Sequence, residues 1–129
     1  MTPRASRTAP CSAAERDGRR ARAEEFWQSA EDLRELDEGS NAVLSLYVLA
    51  GIAASDVVCC ARLGEYSRSE NHADAIDLLR RADRSLVPAL QRLLSRKSES
   101  AYGVAPISAT RVTEARNAAD KLVRAARRA

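Results

Sequence analysis

Residues 41–67, NAVLSLYVLAGIAASDVVCCARLGEYS, decide the fold of this chain. Between Ala42 and Ala61 the only charged side chain is that of Asp56, so a helix here is apolar on every side. Soluble proteins bury such a helix beneath neighbours on several sides. A helix of about 20 apolar residues also reaches across a bilayer, but an acid inside it and its many small residues argue against insertion. We therefore predict the central helix of a bundle, or half of a dimer interface, and no membrane contact.

The composition of the whole chain favours an all-α protein. Its 129 residues include 25 alanines but only five glycines and one phenylalanine. Alanine, leucine, arginine and glutamate form helices well, and the β-branched and aromatic residues are too few for several strands. One domain is expected at this length. The 19 arginines against two lysines suggest a bacterial genome rich in GC.

Periodicity and capping residues divide the chain into four helices. The first runs from about residue 14 to residue 36 and ends at Gly39, and Ser40 or Asn41 caps the second. The expected core residues of the first helix lie at helical spacing: Ala23, Phe26, Trp27, Ala30 and Leu33.

The third and fourth helices have their own start signals. Ser69 or Asn71 caps the third helix. This helix kinks or is rebuilt between Arg84 and Pro88, because proline lacks an N–H and clashes one turn back. Ser85 is a candidate cap where the helix resumes, and Ser108 caps the fourth helix. Apolar residues expected to be buried around the fourth helix are Ile107, Val112, Ala115, Ala119, Leu122, Val123 and Ala126.

The predicted architecture is an antiparallel four-helix up-and-down bundle over residues 14–129, preceded by a disordered basic tail at residues 1–13. Short connections between the helices favour antiparallel neighbours. The tail has no periodicity, and it lacks the apolar run that a secretory signal carries.

Charge is unevenly distributed, although the net charge is only +3. Residues 23–40 carry seven acids and one arginine, whereas both ends of the chain are basic. The last helix therefore offers Arg124, Arg127 and Arg128 as candidate contacts to the phosphates of RNA or DNA. A solvated arginine face explains the same pattern.

Three cysteines, Cys11, Cys59 and Cys60, give an odd number and no zinc-binding spacing. Because two of them are adjacent, we expect buried thiols in a reducing cytoplasm rather than a bridge. A metal site would need more histidines or clustered acids, and the chain has no glycine-rich phosphate loop. No metal and no cofactor are expected.

Three blocks of the sequence, taken in order, resemble the HEPN superfamily of small helical bundles. They are AGIAASDVVCCA at residues 50–61, ENHADAIDLL at residues 70–79, and LLSRKSESAYG with the helix that follows it. Lys97 and Tyr102 stand where many HEPN proteins have a basic residue and a tyrosine before the last helix. The resemblance covers about residues 20–128. It implies a HEPN-like bundle that acts in a toxin–antitoxin or phage-defence setting, often beside a nucleotidyltransferase.

The sequence departs from the ribonucleases of that superfamily at the catalytic motif. Those members carry R-x(4–6)-H near this place, and the arginine and histidine of two protomers act together on RNA phosphate. Here the basic residue is Lys97, Tyr102 stands five residues later, and the only histidine, His72, follows Arg68 with three residues between them. A phenol has a pKa of about 10, so tyrosine is a poor proton shuttle at neutral pH.

Five polar residues are candidates for a binding site or polar pocket: Asp56, Arg68, His72, Lys97 and Tyr102. A lone acid in an apolar helix needs a partner, and that of Asp56 is His72, Lys97 or an arginine. Alternatively, Lys97 contacts helix C-terminal carbonyls, Tyr102 packs the loop onto the core, and His72 is an ordinary residue of a first helical turn.

Three functions are open on the sequence alone. The preferred one is a non-catalytic HEPN-like module that binds a nucleic acid, a nucleotide or a protein partner. The second is a divergent HEPN ribonuclease using Lys97, Tyr102 and His72, and the third is a purely structural helical dimer. The sequence leans away from an enzyme, because it contains no recognisable catalytic constellation. The apolar second helix predicts a homodimer.

Overall fold

The computed structural model describes residues 7–36 and 40–129, except for the side chains of Glu99 and Ala101. This part of the chain is all-α, as predicted, with one small two-stranded sheet added. The predicted helix end at Gly39 lies outside the described residues. The elements in chain order are β1 (Thr8–Pro10), α1 (Ala13–Leu36), α2 (Asn41–Leu63), β2 (Glu65–Ser67), α3 (His72–Ala82), α4 (Val87–Tyr102) and α5 (Ala109–Arg128).

Helix α2 is the centre of the fold, because α1, α3, α4 and α5 all pack against it. Twelve of its residues are buried. Gly51 allows the closest approach, since a Cβ there would overlap Leu93 of α4 and press on Leu122 of α5. The helix has the length and mean hydropathy, 2.0, of a membrane span, yet 72% of that window is buried inside the fold. Burial of this kind is typical of the core helix of a soluble protein.

The predicted helix starts agree with the structure. The side chains of Ser40, Asn71 and Ser108 accept hydrogen bonds from backbone N–H groups in the first turns of α2, α3 and α5. Gly64 ends α2 in the left-handed conformation, with φ 71°, and turns the chain into β2. The apolar residues predicted around the last helix are all buried.

The predicted third helix is two helices in the structure, so the described residues form five helices rather than four. Helix α3 ends at Ala82, and the Asp83 side chain accepts a hydrogen bond of 3.0 Å from the backbone N–H of Ser85. One 3₁₀ turn follows before α4 begins. Pro88 falls in the first turn of α4, where no N–H is needed, so the predicted kink near Pro88 is wrong. The alternative of a helix rebuilt between Arg84 and Pro88 is confirmed, but the capping residue is Asp83 and not Ser85.

The N-terminal segment differs from the predicted disordered tail over residues 7–13. Thr8–Pro10 pair antiparallel with Glu65–Ser67, and Cys11 forms a disulfide with Cys60, the two Cα atoms being 5.4 Å apart. The expectation of three free thiols is therefore wrong, and Cys59 is the free, buried cysteine. Backbone pairing and the covalent bridge order this segment although its sequence has no periodicity. Residues 1–6 of the predicted tail lie outside the described residues.

Candidate functional site

A groove of about 470 Å³ lies between α1 and α2. Its apolar surface comes from Phe26 on α1 and from Leu49, Ile52 and Ala53 on α2. These three residues of α2 recur at helical spacing on the face that its neighbours cover least, and Leu49 is 40% exposed. The groove is therefore an uncovered part of the most apolar helix in the fold.

An arginine–aspartate pair closes one end of this groove. Arg19 of α1 donates a hydrogen bond of 2.9 Å to Asp56 of α2, and its guanidinium stacks 3.7 Å from the centre of the Tyr66 ring in β2. Burial raises the pKa of the Asp56 carboxyl to about 6, although the charge and hydrogen bond of Arg19 oppose that shift. Of the three partners considered for Asp56, which were His72, Lys97 and an arginine, the structure shows an arginine, Arg19.

The two ends of the groove differ in charge. Arg19 meets Asp56 while Glu31 meets Tyr47, so α1 and α2 run antiparallel. Glu15 lines the groove one turn before Arg19 and adds a second carboxylate to that end. Towards the opposite end, the guanidinium of Arg22 lies 6.0 Å from the centre of the Phe26 ring. The end with Glu15, Arg19 and Asp56 therefore carries two carboxylates against one guanidinium, and we call it the acidic end; Arg22 makes the side nearer Phe26 basic.

A second polar cluster joins α1, α2 and α5 inside the fold. The carboxylate of Glu31 accepts hydrogen bonds from the Tyr47 hydroxyl at 3.1 Å and from Arg116 Nε at 2.7 Å. Arg116 also lies 5.3 Å from the centre of the Trp27 ring. Burial and the neighbouring Glu31 raise the pKa of Tyr47 to about 12. Because every member has a partner, this cluster fixes the packing of three helices and offers no obvious place for a ligand.

The four other candidates for a polar pocket lie on the surface. Arg68, His72, Lys97 and Tyr102 are exposed, and none of them lines the α1–α2 groove. His72 begins α3, whereas Lys97 and Tyr102 lie in the last turns of α4. Tyr102 is 85% exposed, so the expectation that it packs the loop onto the core is wrong.

Two of the three candidate phosphate contacts already have carboxylate partners. Arg127 binds both oxygens of Glu24 on α1, at 2.6 and 3.0 Å, and this hydrogen bonding lowers the pKa of the Glu24 carboxyl. Arg124 binds Asp120 one turn earlier in α5 at 2.9 Å, and Arg128 is exposed. Part of the positive charge of α5 is therefore neutralised by an ion pair with α1.

Comparison with protein-family models, curated proteins and solved structures gives no match. Within the described residues, no group of three or more histidine, cysteine, aspartate or glutamate side chains is placed to hold a metal ion. The assignment of function thus depends on the groove and on the sequence resemblance.

Proposed function

We propose that this chain is a non-catalytic binding module that pairs with a second copy of itself through the α1–α2 groove. One observation carries the proposal: the groove leaves Leu49 and its neighbours uncovered on the helix that otherwise forms the core. Burial of apolar side chains is the main driving force for association, at about 25 cal/mol per Å². A second copy supplies an apolar surface of the same size and shape.

The charges at the groove favour a two-fold pair. In such a pair, each end of one groove faces the opposite end of its partner's groove. In this arrangement Arg22 of one copy faces Glu15 of the other, and the same opposition occurs a second time, while Asp56 stays paired with Arg19 of its own copy. Self-complementary charge gives the pair a register that an apolar patch alone does not define.

The proposed HEPN relationship supports the same role. We propose that α1, α2, α3 with α4, and α5 form a HEPN-like four-helix bundle, in which α3 and α4 together take the place of one helix. A toxin–antitoxin or phage-defence setting, with a nucleotidyltransferase as a further partner, follows from the resemblance and belongs to this proposal. The bacterial cytoplasm is the location that we propose for it.

The chemistry of the candidates favours binding over RNA cleavage. A HEPN ribonuclease joins an arginine to a histidine, whereas the two residues at this landmark are Lys97 and Tyr102. Within one copy, His72 is at the start of α3, with the 3₁₀ turn and most of α4 between it and Lys97. RNA or DNA is the weaker alternative as a partner, because Arg124 and Arg127 are already paired with acids.

Sedimentation of two matched variants tests the proposal. Leu49→Asp places a carboxylate on the groove floor, whereas Leu36→Asp places one on a side chain that is 84% exposed at the end of α1. We expect wild type and Leu36→Asp to sediment at twice the 14.0 kDa chain mass, and Leu49→Asp to sediment as a monomer. A monomeric wild type at micromolar concentration, or a dimeric Leu49→Asp with native circular dichroism, would contradict the proposal.

A further inference from the structure

Few contacts attach the N-terminal segment, residues 7–12, to the rest of the fold. Besides the Cys11–Cys60 disulfide, the Cys11 N–H donates to the Gly64 carbonyl at 2.9 Å and the Arg68 N–H donates to the Arg7 carbonyl at 2.7 Å. Two paired strands of three residues are marginal without further support. Arg7 Nη1 also donates to both oxygens of Asp74, at 3.2 and 3.1 Å, but an ion pair whose arginine is 55% exposed contributes modestly. The disulfide is therefore the covalent attachment of this segment to the end of α2.

The residues beside the Cys11–Cys60 disulfide are connected by contacts to the acidic end of the groove. Ala9 of β1 is the register partner of Tyr66, and the Tyr66 ring stacks on Arg19, which in turn binds Asp56. On the other side of Cys11, the Ser12 hydroxyl caps the first turn of α1 by accepting from the Glu15 N–H at 3.1 Å. Residues on both sides of Cys11 thus position the acidic groove residues.

The two bridged sulfurs differ in access. Cys60 is buried in the last turn of α2, whereas Cys11 is partly exposed ahead of α1. A thiolate from solution therefore meets Cys11 Sγ first, and access is one of the factors that select the attacked sulfur. Cys60 is buried but lies near the end of α2, outside the main hydrophobic cluster, so we expect the packing of the five helices to persist when the bridge opens.

The neighbouring free thiol is unsuited to exchange with this bridge. Cys59 is buried, and desolvation raises its pKa to about 12, so its nucleophilic thiolate form is scarce at neutral pH. Cys11 and Cys60 therefore stay bonded to each other, without exchange to Cys59, until an external thiol reacts with the disulfide.

We propose that the Cys11–Cys60 disulfide is a reversible redox switch, opened by a dithiol reductant, that releases residues 7–12 and loosens the acidic end of the groove. One reductant thiolate attacks Cys11 Sγ, the S–S bond breaks, and Cys60 leaves as a thiolate that takes up a proton. The second reductant thiolate then attacks the mixed disulfide and releases Cys11, which is protonated in turn. The reductant ends as a disulfide, and two electrons and two protons have passed to the protein. The effect on pairing rests on the function proposed above.

Amide hydrogen exchange tests the switch without reference to pairing. We expect dithiothreitol to speed exchange at the Cys11 and Arg68 amides by about tenfold or more, and to leave the core amide of Leu122 protected. Reoxidation should restore the slow rates. Cys11→Ser should exchange rapidly at Arg68 with or without the reductant, and Cys59→Ala, which keeps the bridge, should respond as the wild type does.

Sedimentation of the same samples tests the coupling to the groove. Reduction should raise the dissociation constant of the dimer by about tenfold, which is roughly 1.4 kcal/mol. Unchanged exchange, resistance of the folded protein to dithiothreitol, or loss of protection at Leu122 would overturn the switch. Faster exchange with an unchanged dimer would overturn its coupling to the groove. A monomer in both redox states would overturn the pairing function, and the exchange rates would still decide whether the switch exists.

Discussion

The Asp56 carboxylate shows how one residue ties stability to pH. An acid in an otherwise apolar helix can be recognised from the sequence, and the requirement for a partner follows from the cost of burying a charge. The identity of the partner does not follow, because 37 residues separate Arg19 from Asp56 and several arginines were equal candidates. Only the antiparallel packing of α1 on α2 selects Arg19.

We predict that the wild type loses stability relative to Asp56→Asn as pH rises from about 4 to about 6. The folded-state pKa of Asp56, about 6, lies above the ordinary aspartate value of 3.8. The folded state therefore holds this proton more tightly, and its advantage disappears as pH rises through the folded pKa. The expected change is on the order of 2–3 kcal/mol.

Urea unfolding across this pH range, at protein concentrations below the dissociation constant of the dimer so that pairing does not contribute, measures the difference between the two proteins. A stability difference that is independent of pH would show that the pKa of the Asp56 carboxyl is not raised in the folded state. The stability difference between the two proteins should become constant above about pH 7, because Asp56 of the wild type is then ionised in both the folded and the unfolded state.

At the scale of elements, the helix caps and the place of the break in the third helix could be predicted, but the residue that makes the break could not. The caps at Ser40, Asn71 and Ser108 are local chemistry, and each was visible in the sequence. Pro88 drew attention as a helix breaker, but the residue that ends α3 is Asp83, whose side chain bonds the following turn. A proline in a first turn is harmless, so its presence marks the start of α4 rather than a kink.

Two helical glycines give a matched test of the packing around α2. Gly18 on α1 has nothing within 4 Å of an added Cβ, whereas a Cβ at Gly51 would overlap Leu93. Gly18→Ala should stabilise the protein by about 0.5–1 kcal/mol, because alanine is the better helix former. Gly51→Ala gains the same propensity but overpacks the core, so it should be less stable than Gly18→Ala by about 1–3 kcal/mol.

Urea unfolding of the two variants measures this difference directly. Equal stability of Gly18→Ala and Gly51→Ala would mean that α4 and α5 do not approach α2 as closely as the structure has them.

At the scale of the whole molecule, the core could be predicted from the sequence and the groove could not. The apolar character of residues 41–63 shows that α2 is buried, but it does not show which face lacks a neighbour. That face is decided by where α4 and α5 lie, which depends on contacts distant in sequence. The disulfide was missed for a similar reason, since 49 residues separate its cysteines and the adjacent pair Cys59 and Cys60 suggested no partner.

Charge exchange between two variants tests the two-fold groove pairing most directly. Arg22→Glu and Glu15→Arg each place like charges opposite one another in a self-pair, so each variant alone should sediment as a monomer. Mixed in equal amounts, they should form a heterodimer, because both contacts then again join an acid to an arginine. A mixture that remains monomeric while wild type is dimeric, or two variants that each pair with themselves as wild type does, would contradict pairing through this groove.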